Sequence, residues 1–455
     1  MPQSLVRIPR VSRVRGFLET TRLLNNAAEV LLEHATTLGG TFYYYFGGVK
    51  RVLVASGPLV LRHVLKDNAD NYLKSEIQVE RIGEFAGEGL VTSHGEEWRR
   101  KRRLMQRAFR PDKLSAMIHD MQAALDEVLV EFERTARGGP VDLGAEITRM
   151  TLATIMQSLF SVRLAREEAA MISGGITAFQ AFTLRQIVHP YLRRWFELSG
   201  ELARHHEMRS QVDRILERIV EQRHTEPKDD FLQLLVDARP EDIGRKLTPQ
   251  QILNESVHMI VGGHETSSVA LTWLLHLLSL NPRWAAQVRS ELRRVVGDEP
   301  LGARHLVDLP LTTAAIEEAM RLFPPFWMTD RTAIADDDAC GFAIPAGATI
   351  IVFIYGAHHD PKRWSNPEDF MPSRFGGKVN ESRFGFDYLP FGAGPRSCIG
   401  FQYAMIQMTV ILSTILTRYR FSTVDPKPVR PRPMITLRPS ETIRMHFEPL
   451  RERGD

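Results

Sequence analysis

Between Thr248 and Asn281 the chain writes one long helix, and that helix limits every arrangement open to the rest. Thr248-Pro249-Gln250-Gln251 supplies an N-cap, a proline in the first turn and the glutamine of a capping box, and Pro282 ends the run. A helix of that length spans ~50 Å, enough to cross a whole domain. Its C-terminal half is apolar around most of its circumference, so it belongs in an interior with other elements packed around it. The middle, Val261-Gly262-Gly263-His264-Glu265-Thr266-Ser267-Ser268, breaks the pattern. Each interior glycine costs roughly 1 kcal/mol against alanine, and a buried carboxylate costs more unless it is paired or used. Two readings stand: a helix crossing that needs small residues, or a functional distortion. A zinc-protease reading fails, because His264-Glu265 has no second histidine at position 268.

A second constraint lies near the C-terminus, in Phe391-Gly392-Ala393-Gly394-Pro395-Arg396-Ser397-Cys398-Ile399-Gly400. Glycine and proline imply a tight turn that lets the main chain approach a neighbour closely. Helix-compatible residues follow from Ile399 to Arg418, so Cys398 sits at a helix start, where amide dipoles favour a thiolate. Such a thiolate is either a nucleophile or a metal ligand. The segment also fails the dinucleotide fingerprint, lacking its third glycine.

Composition narrows the surroundings. A net charge of +3 over 455 residues gives no argument for nucleic acid. Two cysteines, Cys340 and Cys398, argue against a disulfide framework and for a reducing compartment. The first fifty residues hold no apolar run near the ~18 that span a membrane, nor a signal peptide's apolar core, so the expectation is a cytoplasmic protein without a membrane span. Length alone suggests about three domains, yet no Gly/Ser-rich or Pro-rich linker divides the chain.

Along the chain, Leu23–Leu38 has helical spacing, and 41–56 reads as a β-hairpin around Gly47-Gly48. Residues 94–110 are the most basic stretch, with Trp98 and Arg102 four apart on one helix face. An indole and a guanidinium there could hold a carboxylate ligand, although most such runs are solvated faces. Successive amphipathic helices follow, in which Phe179, Phe182, Tyr191 and Trp195 read as core more readily than as pocket. His205-His206 reads as surface. Leu311–Phe323 is a helix carrying Glu318 and Arg321 one turn apart, asp-rich 336–338 reads as a solvated turn, and Cys340 as an ordinary strand residue.

Taken together, the motifs resemble the cytochromes P450, the haem-thiolate monooxygenases. Phe391, Gly394, Arg396, Cys398 and Gly400 match the fixed positions of that family's haem-binding loop, and four further motifs appear in the family's order over nearly the whole chain. The resemblance implies a mainly α fold with small β-sheets (α+β), in which the long central helix crosses over the haem. It implies a single domain over 1–455, with a β-rich portion at 41–56, a helical core at 94–324 and the haem loop at 391–400. It makes Cys398 the axial ligand of the iron of heme b, with Trp98, Arg102, Arg331, Phe391, Arg396 and Gly400 as cofactor-binding residues and His94 as a further candidate. Glu265 and Thr266 become a proton relay, with the two glycines leaving room for dioxygen and water. Glu318, Arg321 and Arg374 become a buried structural network, with Ser373 where many relatives carry glutamate.

The expected activity is insertion of one oxygen atom of O2 into a hydrophobic terpenoid, fatty acid or polyketide-like substrate, as in secondary metabolism by soluble bacterial-type members. The expected partners are a ferredoxin or flavodoxin with its NAD(P)H reductase, docked by Arg99, Arg100 and Arg103. Residues from Ile77 to Val91, Phe179–Phe182, Ile260–Val261 and Phe326-Trp327-Met328 are expected to line the substrate pocket. A P450-type peroxygenase or isomerase is the alternative; some members of that kind have lost the acid–threonine pair, which is present here. A non-catalytic haem-binding sensor stands further off for the same reason, and a cysteine hydrolase further still.

Overall fold

The computed structural model describes residues 8–75, 78–188, 192–244, 246–376 and 385–450. It is built mainly from helices, with small sheets at the edges. The helices that matter for the site are α1 (Gly95–Gln106), α2 (Pro111–Arg137), α3 (Leu143–Phe160), α4 (Arg166–Val188), α5 (Glu201–Thr225), α6 (Pro249–Ile260), α7 (Thr266–Leu280), α8 (Pro310–Leu322) and α9 (Phe401–Arg418).

The long predicted helix is α6 and α7, joined by a single π turn, Val261–Glu265. The capping box forms as expected: the Gln251 amide donates to Thr248 Oγ1 (3.3 Å), and the Thr248 amide donates to Gln251 Oε1 (3.0 Å). Nearly every side chain of α7 is buried, and α2, α3, α8 and α9 share its core. Trp273 is the largest fully buried residue; it stacks on Phe323 at 3.8 Å and donates its indole N–H to Leu437 O (2.8 Å). The amide nitrogen of wholly buried Gln407 of α9 donates to Thr154 Oγ1 (2.8 Å) and Thr151 O (3.1 Å) of α3, tying the two helices together.

The predicted hairpin forms β1 (Thr41–Phe46) and β2 (Lys50–Ala55), paired from Thr41 with Ala55 to Phe46 with Lys50. Three further strands, β3 (Tyr72–Leu73), β4 (Thr329–Ala333) and β5 (Thr349–Val352), complete a sheet in the order β1-β2-β5-β4-β3, where only the β2–β5 pair is parallel. Near the end of the chain β6 (Pro431–Pro433) and β7 (Leu437–Pro439) make a short hairpin whose tip lies against α4 and the π turn.

Several local expectations are corrected. Cys340 is not a strand residue: it occupies a hairpin turn at φ +59°, followed by Gly341 at +90°, so two adjacent left-handed residues make the turn. Asp337 is no solvated turn residue, since its Oδ2 accepts from Tyr72 (2.5 Å) and Asn68 (2.9 Å) and lies 2.8 Å from His63 Nε2. His206 is exposed, but His205 turns inward and stacks on Phe182 at 4.1 Å, because successive helical residues point ~100° apart. Tyr191 lies outside the described residues.

Candidate functional site

The cysteine loop owes its shape to two glycines. Gly392 and Gly394 have φ of +69° and +68°, and a Cβ at Gly394 would overlap the Leu65 carbonyl. Any side chain there forces the loop off its neighbour. The Cys398 amide donates back across the turn to Phe391 O (2.9 Å), and the Phe391 ring packs edge-on against Phe401 at 4.8 Å. Helix α9 starts at Phe401 with Gly400 as its cap, two residues later than expected from the sequence. The Cys398 thiol is exposed at its surface yet ringed by protein. Burial pushes it up from the ordinary thiol value, while the Gly400 N–H and the Arg102 guanidinium pull it down.

Beside the loop stands a group of cations with too few anions. Arg396 lies over the Trp98 ring at 3.8 Å and donates to Ser93 O (3.0 Å). Arg102 donates to Ser397 O (2.8 Å), fixing α1 to the loop. Arg331, buried on β4, donates to its neighbour's carbonyl, Asp330 O (2.6 Å). Lys74 donates to Val91 O (2.7 Å), and burial with Arg331 and Arg396 brings its ammonium down to about 7. The same cause, burial first and then Arg331, brings Arg396 down to about 10, and His94 is lowered by burial, Arg396 and Lys74. Among the described residues His94 Nδ1 and Ser93 Oγ have no partner. Burial is the first cause of each lowering, and the like charge of neighbouring cations adds to it for Lys74, His94 and Arg396. Lys74 was not found from the sequence; a lone lysine at a strand end carries no signal, and only the fold sets it beside two arginines distant in the chain.

The predicted network of Glu318, Arg321 and Arg374 is assembled in full. Glu318 and Arg321 are wholly buried and bonded side-on, Nε to Oε2 at 2.8 Å and Nη2 to Oε1 at 2.9 Å. Arg374 Nε and the Met371 amide also donate to Glu318 Oε1, at 3.2 and 2.9 Å. The remaining Arg321 donors reach the carbonyls of Pro367 (2.7 Å), His358 (3.0 Å) and Asp369 (3.2 Å). His358 carries the network onward. Its Nδ1–H donates to Arg321 O (3.2 Å) and its Nε2 accepts from the Leu389 amide (2.8 Å), just ahead of the cysteine loop. The sequence showed the His358-His359-Asp360-Pro361 run without revealing that role.

Both glycines lie in the π turn, and they do different things. A Cβ at Gly263 would strike Ile155 of α3, so this glycine serves a helix crossing. A Cβ at Gly262 would meet nothing within 4 Å, and only this glycine opens a groove. The expectation that both leave room is corrected accordingly. Thr266 donates to Gly262 O (2.7 Å), whereas Glu265, 2% exposed, turns to the β6–β7 hairpin. Acid and alcohol are neighbours in sequence with separate partners in space. Among the described residues no hydrogen bond or ion pair ties either of them directly to the cation group.

Residues 85–92 are strapped to α6 and α5. The Leu90 amide donates to Glu255 Oε2 (2.8 Å), the Val91 amide to His258 Nδ1 (3.2 Å), and His258 Nε2–H to Gly87 O (3.2 Å). Arg209 of α5 donates to Phe85 O and to Asn254 Oδ1 (2.9 Å). Buried Lys101 of α1 pairs with buried Glu255 at 3.2 Å. Phe85 stacks on Phe179 of α4 at 4.1 Å, so the strap meets an aromatic wall. Trp327 packs into the core against Phe353 and donates to Met434 O (2.8 Å), and Ile77 lies outside the described residues.

Buried cations in excess are stable when an anion completes them, and the two carboxylates of a porphyrin beside a cysteine loop would do so. The residues present fit a haem. The chain belongs to the cytochrome P450 family, whose model matches residues 14–447, and it is a haem-dependent monooxygenase with iron protoporphyrin IX as cofactor. It is 28% identical to the human ultra-long-chain fatty acid omega-hydroxylase, across 96% of this chain and 85% of the relative. It is 29% identical to the pentalenene oxygenase of Streptomyces avermitilis, across 88% of each. To the chloroplastic protein LUTEIN DEFICIENT 5 of Arabidopsis thaliana it is 28% identical, across 91% of this chain and 72% of that one.

Proposed function

We propose that the chain works as one unit, adding one oxygen atom to a long or polycyclic hydrocarbon-like substrate, a fatty acid or a terpenoid. The supporting observation is the apolar wall where the strap meets α4, with Phe85 stacked on Phe179 and Phe182 packed edge-on against Phe196 at 5.4 Å. The relatives named for a fatty acid and for pentalenene act on apolar molecules of these two kinds.

In this reading Cys398, held by Gly400 and Arg102, would bind the haem iron through its thiolate, while Lys74, Arg102, Arg331, Arg396, His94 and the Trp98 indole would hold the propionates. Phe391 shields the thiolate side. Haem bound through a thiolate supplies iron chemistry that favours O–O cleavage. The protein's part is to bring protons and exclude bulk water. Thr266 offers a hydroxyl beside the Gly262 opening, and Glu265 hands on protons behind it. Electrons come from NAD(P)H through a ferredoxin or flavodoxin. Arg100 and Arg103 stand exposed on α1 for such an acidic partner, while Arg99 is held by Glu96 (2.6 Å) and Asp70 (3.1 Å). Among the described residues no helix is long and apolar enough to cross a membrane.

Two measurements test this. The reduced carbon monoxide complex should show the red-shifted Soret band of thiolate ligation; Cys398→Ser should abolish it and Cys340→Ser should leave it. Identical spectra for the two variants would remove Cys398 as ligand. For the substrate class, titration of the ferric protein with fatty acids of graded length, cyclic terpenes and macrolides should give a high-spin shift with the first two only. A shift confined to macrolides would reject it.

A further inference from the structure

The carboxylate of Glu265 is governed by the C-terminal hairpin. One oxygen, Oε1, accepts from Arg438 Nη2 (2.6 Å), from Arg438 Nε (3.0 Å) and from Thr436 Oγ1 (3.1 Å). Thr436, 1% exposed, also lies 3.3 Å from Gln180 Oε1 on α4. Its hydroxyl has one proton to give, so it serves either the acid or the glutamine at a given moment. Gln180 is itself 2% exposed, and Glu265 is similarly enclosed. Arg438 differs, for its side chain is one-quarter exposed. It reaches into a cleft of about 1260 Å³ lined also by Thr148 of α3, Ala178 of α4, and Ser268 and Thr272 of α7.

We propose that Arg438 and Thr436 are positioning residues for Glu265, and that they make the cleft behind the long helix the source of its protons. This rests on the reading of Glu265 as the relay acid. A guanidinium keeps its proton throughout the accessible pH range, so Arg438 cannot itself be a relay. Its side-on grip fixes which way the carboxylate faces, and its exposed flank is what links that enclosed carboxylate to the cleft. Thr436 adds a hydroxyl that passes between Glu265 and Gln180, so a shift of α4 alters how firmly the acid is held. The need is stoichiometric: a substrate RH, O2, two protons and two electrons give ROH and H2O. Where the protons do not reach the oxygen that leaves as water, O2 with the same two electrons and two protons leaves as H2O2; without substrate, water takes four of each.

The experiment uses haem-loaded full-length protein without added substrate, reduced by NADPH through a ferredoxin and its reductase, with peroxide and water quantified. Infrared difference spectra of the resting protein identify the Glu265 carboxylate as the band lost in Glu265→Gln. Arg438→Met should move that band and raise the peroxide-to-water ratio severalfold, as Glu265→Gln does. Arg438→Lys should restore part of both, and Thr436→Val should move both by less. If Glu265→Gln raises peroxide while a folded Arg438→Met does not, the positioning role is overturned and the relay reading stands. If Arg438→Met does not fold, an unmoved band and ratio in Thr436→Val overturn the role. An inert Glu265→Gln overturns the relay reading, and this inference with it.

Discussion

Glu318→Gln is expected to cost about 3–5 kcal/mol of folding stability, from a total that for ordinary proteins is about 5–15 kcal/mol. The substitution keeps the shape of the side chain and removes its charge. Arg321, wholly buried, keeps its three carbonyl acceptors but loses the carboxylate that answers its charge, and Arg374 loses the same partner. An unanswered buried cation is the costly outcome, more than any single hydrogen bond. A control lies on the surface: Arg22 and Glu33 approach to 2.6 Å with both side chains about half exposed, and Glu33→Gln should change stability by less than about 1 kcal/mol. Urea midpoints of the two variants decide the matter. A loss below ~1 kcal/mol in Glu318→Gln would mean that the network positions the haem loop without holding up the fold.

Acid should destabilise the protein below pH 6.5 through its buried histidines, with the Glu317 carboxyl, pushed up by burial to about 7, offsetting one histidine's share. Burial holds His258 and His359 down to about 3, and His358 well below the ordinary histidine value. Two of them use an unprotonated ring nitrogen as an acceptor, His258 from the Val91 amide and His358 from the Leu389 amide. In the unfolded chain each takes up a proton near pH 6.5. Between that value and the folded one the unfolded state binds more protons, so stability is full above pH 6.5 and falls as pH drops. The slope approaches about 1.4 kcal/mol per pH unit for each histidine. Urea midpoints between pH 7.5 and 5 measure it, and His258→Gln should remove one histidine's share. A profile flat down to about pH 4.5, where carboxylates begin to titrate, would show these imidazoles to be charged in the fold.

What could be read from the sequence followed from spacing along one element. The capping box, the terminal proline and the apolar half of the long helix gave its extent, and the hairpin around Gly47-Gly48 was fixed by local turn chemistry. The Glu318–Arg321 pair was visible as a one-turn spacing, and its burial was not. Residues whose meaning is set by distant partners stayed silent: Lys74, His358, Glu255 and Arg438 are ordinary polar residues until the fold brings their neighbours. The two glycines of the π turn show the same limit within a single motif. Only the position of Ile155, on another helix, tells Gly263 apart from Gly262.

The π turn also sets how the long helix is indexed. Its hydrogen bonds close one residue further along than those of an α turn, so α7 is out of phase with α6 by about one residue, or ~100° of rotation. Each half is therefore free to aim its own faces. Asn254, Glu255 and His258 look toward the 85–92 strap, while α7 keeps an apolar surface for four neighbouring helices. Removing one residue between 261 and 265 would regularise the turn and force the halves into a common phase. Either the strap or the core would then lose its match, which makes the length of this five-residue segment as restrictive as its composition.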